Sequence, residues 1–145
     1  MLDLWLAIAH HLLVFSLFGI VFAEFFALRP GLGRDAVARL ARLDLAYGII
    51  AGLIVIIGFS RVIFAAKGWH YYSHNAFFWA KLGSFALIGL LSVPPTLDYL
   101  RWRKASTPPS DAEVKRARIY LHLELALFVP LLGFAAAMAR GYGEF

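Results

Sequence analysis

The sequence contains no cysteine. That excludes disulfides, thiolate metal sites and iron–sulfur ligation. It also lacks a Gly-rich phosphate loop, a zinc motif and a recognisable catalytic triad. A hydrolase or nucleotide enzyme would have to be assembled from parts without a signature. Charge is scarce over long distances. Residues 4–28, 43–66, 76–93 and 119–139 are four runs with few ionisable side chains. The chain of 145 residues is 61% hydrophobic, with a mean hydropathy of +0.73, more apolar surface than a soluble domain of this size needs.

A spanning helix takes about 20 mostly apolar residues, and each run is long enough or nearly so. Lipid offers backbone groups no water, so the runs must be helical. The expected fold is all-α, an integral membrane four-helix bundle in one domain, with helices over about 4–28, 43–66, 76–93 and 111–140. The first run begins with Asp3 and Trp5 and lacks a basic leader, so it reads as a membrane helix and not as a cleaved signal. The net charge of +5 comes mostly from two connections. Arg29, Arg34, Arg39 and Arg42 follow the first run; Arg101, Arg103, Lys104, Lys115, Arg116 and Arg118 follow the third. Short Lys/Arg-rich loops stay in the cytoplasm, which puts both termini on the outer, periplasmic side of a bacterial inner (plasma) membrane. That bias accounts for the basic loops without a nucleic acid.

Residues 67–81 join the second and third runs and are far more polar and aromatic than either. Trp69, Tyr71, Tyr72 and Trp79 suit an aromatic belt. His70 and His74 are four apart; on a helix they would share a face and offer two metal ligands, with no third adjacent. Lys81 lies inside the third run, where a charge is expensive. His10 and His11 lie about two turns into the first helix. His10, Leu17 and Glu24 fall on one stripe, with His11 about 100° away. Intramembrane ionisable groups face the bundle or a cavity, so if Glu24 points inward His10 does too. The bland alternative is a pair of water-exposed interfacial histidines.

Residues 35–43 read as an amphipathic lead-in to the second helix. Gly48 and Gly52 form a small-xxx-small pair that serves packing within the protomer or between copies in a homo-oligomer. Arg61 either snorkels or joins a site. Pro94-Pro95 ends or kinks the third helix. Ser110 to Glu113 has capping-box spacing and starts the fourth. Along that helix His122, Ala126, Val129, Gly133 and Arg140 recur on one face, with Glu124 nearly opposite His122, so the two cannot face the same core.

Depth sorts the polar residues into two layers. The outer holds His10, His11, Arg61, Lys67, His70, His74, Lys81 and Arg140, with Asp3 and Glu144 as its only acids. The inner holds Glu24, Asp44, Asp98, His122 and Glu124 beside the loop arginines. Ion pairing is the expected fate of Asp44 and Asp98, and a proton path is an alternative for the inner acids. A cationic, histidine-rich outer layer asks for an anionic ligand: a porphyrin with two propionates, a lipid headgroup or another carboxylate. Imidazole ligates haem iron, and four-helix interiors hold such cofactors. A quinone also suits the aromatic lining.

The chain resembles a domain-of-unknown-function family of small four-helix bacterial membrane proteins. The resemblance rests on His10-His11, Glu24, Arg29, Asp44 with Tyr47-Gly48, Gly58 with Arg61, Lys67-Gly68, Phe78-Trp79-Ala80-Lys81, Pro94-Pro95-Thr96 and Met138-Ala139-Arg140-Gly141, and covers almost the whole chain. A more distant likeness is to HemJ-type protoporphyrinogen oxidases. Trp5-Leu-Ala-Ile-Ala-His10 resembles their first-helix pattern, and Trp79-Ala-Lys81-Leu82 the start of their third. That resemblance implies haem b held by a first-helix histidine, at His10, and a third-helix lysine, at Lys81. His11 and the His70–His74 loop depart from it.

The expected function is a membrane haem b protein with redox activity, either porphyrinogen-oxidase-like or exchanging electrons with quinone. His10 is the first choice of axial ligand, with His11 beside it. Lys81 is either the opposing ligand or a propionate partner. Arg61 and Arg140 would neutralise propionates. The alternative is a non-enzymatic transporter or sensor of a metal ion or organic anion.

Overall fold

The computed structural model of the chain describes residues 1–64 and 68–145. Lys67 of the expected outer layer, and the expected end of the second helix at residue 66, lie outside the described residues. The chain is helical: α1 Leu2–Ala27, α2 Arg34–Phe64, a short α3 Gly68–Ser73, α4 Ala76–Lys104 and α5 Asp111–Ala139. The four long helices are each long and apolar enough to cross a membrane. Among the described residues, α1 packs on α2 and α5, and α4 packs on α2 and α5, leaving α1 and α4 diagonal. This is the neighbour order of an up-down bundle with short connections.

The core is narrow. Leu17, Val21, Leu40, Tyr47, Ile54, Ile88, Tyr99, Leu121 and Phe128 line the axis and are buried. Most other apolar side chains point outward; Phe15, Leu90 and Val129 are 64%, 68% and 73% exposed. A surface this apolar is matched by acyl chains and not by water.

Two helices run further than the apolar runs suggest. α2 starts at Arg34, and the lead-in is its first turns, with Val37, Leu40 and Ala41 burying one face. α4 continues through Pro94 and Pro95 to Lys104. Each proline lacks the N–H that would reach the carbonyl four residues back. Bundles in lipid tolerate such prolines, and hydroxyls on either side of the pair are themselves satisfied: Ser92 donates to Gly89 O at 2.7 Å and Thr96 to the Asp44 carboxylate at 2.7 Å. α5 begins with the expected capping box between Ser110 and Glu113.

The inward faces differ in part from the expected ones. On α5 the buried residues are Leu121, Glu124, Phe128 and Leu131, whereas His122, Ala126, Val129 and Gly133 point outward. Gly48 and Gly52 also face outward, with no heavy atom near where a Cβ would be. Neither small-residue stripe packs helices within this protomer.

The end of the bundle that carries both termini is closed by the C-terminal tail. Asn75, fully buried, accepts from the Phe77 and Phe78 N–H groups as N-cap of α4, and its amide donates to Tyr142 O at 3.0 Å. Ala76 N–H donates to Gly143 O at 2.8 Å, and Phe145 N–H to His74 O at 3.1 Å. Gly143 has φ +85, and a Cβ there would lie 2.5 Å from Phe77 Cδ2. Only glycine fits that turn without strain.

Candidate functional site

The groove lies at the end of the bundle that carries both termini. His10, His11, Val14 and Phe15 come from α1; Ile54, Gly58, Arg61 and Val62 from α2; Phe78, Lys81 and Phe85 from α4; Leu131 and Met138 from α5. It measures about 170 Å³ and is partly open. The wall is mostly apolar, and its polar side chains are two imidazoles, a guanidinium, an ammonium and the Tyr72 phenol.

Each polar side chain is placed by its helix. His10 is half-buried and faces α2 at Gly58, where a Cβ would come within 3.4 Å of its Cε1. Its Nδ1 is buried and has no hydrogen-bond partner. His11 is more exposed, and its Nδ1–H donates to Ala7 O at 2.6 Å. A carbonyl can only accept, so that bond fixes the proton on Nδ1 and leaves Nε2 as the lone-pair nitrogen of the neutral ring. The rings stand edge to face with centroids 6.3 Å apart, and both border the groove. The angular separation of the two residues does not send one of them elsewhere.

Arg61 occupies the last turn of α2, where the helix dipole favours a cation. Its Nε lies 3.7 Å from Asp3 Oδ1. The acid at the N-terminus therefore meets this arginine, and the outer layer is less uncompensated than the sequence suggests. Lys81 follows the Asn75 cap in the second turn of α4. It is half-buried, with Nζ 5.7 Å from the Phe78 ring centroid, within cation–π range. Among the described residues no carboxylate forms a salt bridge with it.

Other expected site residues stand apart. Arg140 is exposed at the end of α5 and does not border the groove. His70 and His74 are exposed on the connection between α2 and α4, with ring centroids 4.2 Å apart and His74 Nδ1–H donating to His70 O at 3.0 Å. Among the described residues no three His, Asp or Glu side chains gather closely enough to hold a metal ion. Sequence reasoning did not single out Phe78, Tyr72 or Met138 as lining. Tyr72 reads in the sequence as part of an aromatic belt, and Phe78 and Met138 only as part of the family resemblance.

At the opposite end of the bundle, Asp98 pairs with Arg116 at 2.7 Å and Arg101 at 2.8 Å, as expected for this residue. Asp44 instead takes its hydrogen bond from Thr96, and among the described residues no salt bridge reaches it.

Comparison with known proteins gives one finding. A family model, DUF2214, described as a predicted membrane protein, matches residues 2–143. No curated protein and no solved structure matches the chain.

Proposed function

The chain belongs to the DUF2214 family of predicted membrane proteins, and from that premise we propose that its groove binds haem b, making it a redox protein of a bacterial inner membrane. The observation that carries this reading is the His10 imidazole. The ring borders an apolar groove together with His11, Lys81 and Arg61, and among the described residues its Nδ1 has no hydrogen-bond partner. Imidazole is a common ligand of haem iron, and the two cations beside it suit propionates. His10 would supply the axial nitrogen, with His11 the alternative, because its Nδ1–H bond leaves Nε2 ready to ligate. Lys81 would be the opposing ligand if neutral or a propionate partner if charged, and Arg61 the second cation. Bound haem supplies one-electron chemistry at its iron. The apolar wall would keep water away and grip the macrocycle along one edge.

The volume favours a partial grip. Pockets that surround a drug-sized ligand measure roughly 300–1,000 Å³, and the groove here measures about 170 Å³. The rest of a macrocycle would lie among acyl chains. The same narrowness supports a second reading: a slimmer amphiphile, a quinone or an organic anion, carried or sensed without chemistry. The absorption spectrum of protein purified from cells supplied with haem separates the two. A Soret band that shifts on dithionite reduction supports haem. Folded protein without such a band overturns that reading in favour of the slimmer ligand.

A further inference from the structure

A second set of polar side chains is buried in the other half of the bundle, away from the groove. Glu24 of α1 is 2% exposed and Glu124 of α5 is 0% exposed. Asp44 of α2 is half-buried beneath Thr96. The Tyr47 hydroxyl of α2 lies near Glu124 and Ser92, yet neither Glu124 oxygen completes a hydrogen bond. Tyr99 of α4, fully buried, lies within electrostatic reach of Glu24, Asp44, Glu124 and Asp98. Its hydroxyl is unpartnered, as is Glu24 Oε1. All four long helices therefore turn a polar group toward one interior.

The cations nearby are committed elsewhere. Arg101 and Arg116 hold Asp98. Arg118 donates to Leu28 O and stacks 4.4 Å from the Phe25 ring centroid. Arg61 and Lys81 border the groove. Among the described residues no salt bridge reaches Glu24, Asp44 or Glu124. Nor do three carboxylates come close enough for a metal ion.

An unpaired buried ion costs several kcal/mol, and a buried group without a partner neutralises instead. Mere stability would be served as well by apolar residues of similar volume. Two buried glutamates and a half-buried aspartate in one bundle interior, with carboxyl and tyrosine oxygens that lack hydrogen-bond partners among the described residues, have one ligand that needs neither a cage nor a counter-ion: the proton. We propose that Glu24, Asp44 and Glu124 form a proton-exchange site, with the Tyr47 and Tyr99 hydroxyls linking the carboxyls across the bundle. A proton taken from water at the Asp98 end converts one carboxylate to a carboxyl group, and its release restores the carboxylate; only an O–H bond forms and breaks. This site is separate from the groove and does not rest on haem binding.

The test uses unmutated protein in detergent, treated with dicyclohexylcarbodiimide, which adds to protonated carboxyl groups in apolar surroundings. Peptide mass spectrometry should find adducts on Glu24 or Glu124, falling as pH is raised, with Asp111 and Glu113 unmodified. The infrared carboxyl C=O band of the same protein should shift in D₂O and lose intensity in Glu24→Gln and Glu124→Gln. Folded protein with neither adduct nor band overturns the proposal. Labelling blocked by sodium or potassium at constant pH also overturns it, since the site would then hold a metal cation.

Discussion

At the scale of single residues, the groove turns on His10 and His11. His10 is the more buried, and its free Nδ1 has no other occupation. His10→Ala should therefore lower haem per purified protein by at least the roughly tenfold that losing a ligand's supporting contact costs. His11→Ala should leave haem bound with a shifted spectrum. Size-exclusion elution checks folding in each case. The reverse pattern would make His11 Nε2 the ligand, which its hydrogen bond to Ala7 allows. Gly58→Ala is a finer probe. The new methyl would meet His10 Cε1 at 3.4 Å, so the ring must give by a few tenths of an ångström. The absorption bands should move, with less haem lost than in His10→Ala.

At the scale of elements, the end that carries both termini is held by the junction between α3, α4 and the tail. Asn75 caps α4 and also anchors Tyr142. Asn75→Ala should cost about 1 kcal/mol as a lost cap, and more for the lost anchor. Gly143→Ala forces a side chain into a positive-φ turn against Phe77, at a cost of about 1–2 kcal/mol for the backbone alone. Thermal unfolding in detergent measures both. The double variant should lose less than the sum of the singles, because the two residues serve one contact. An additive result would mean that the tail and the cap act independently. α4 shows the limit of local rules at this scale. Pro94-Pro95 reads as a terminus, yet the helix passes through it, because lipid makes an unwound segment costlier than a proline inside a helix.

At the scale of the whole molecule, the four spans and the charge of their connections predict one orientation. A periplasm-active reporter after Phe145 and a cytoplasm-active reporter within residues 105–110 should both work in cells. If the opposite pair is active, the groove faces the cytoplasm and the carboxyl cluster the far side. Lipid contact also explains the exposed apolar surface, since the side chains on the outside are as hydrophobic as those in the core. The outward-facing Gly48 and Gly52 leave room for close approach on that surface, but nothing within the protomer uses it.

The sequence by itself determined the four membrane-spanning helices, the capping box at Ser110 and the pairing of Asp98, and it made an inward Glu24 the condition for an inward His10. Those follow from run length, from cap chemistry and from the cost of an intramembrane charge. Only the tertiary structure decided which side of each helix is inside. Periodicity states that Glu124 and His122 are opposed, but a helix apolar on every side gives no sign of which faces inward, because lipid and core are equally hydrophobic. Glu124 turned in and His122 out. Likewise Asp3 met Arg61, Thr96 met Asp44, Arg140 stayed off the groove, and the tail docked on Asn75. Each of these joins residues on different elements, and such pairings depend on how helices rotate and slide against one another, which no local pattern encodes.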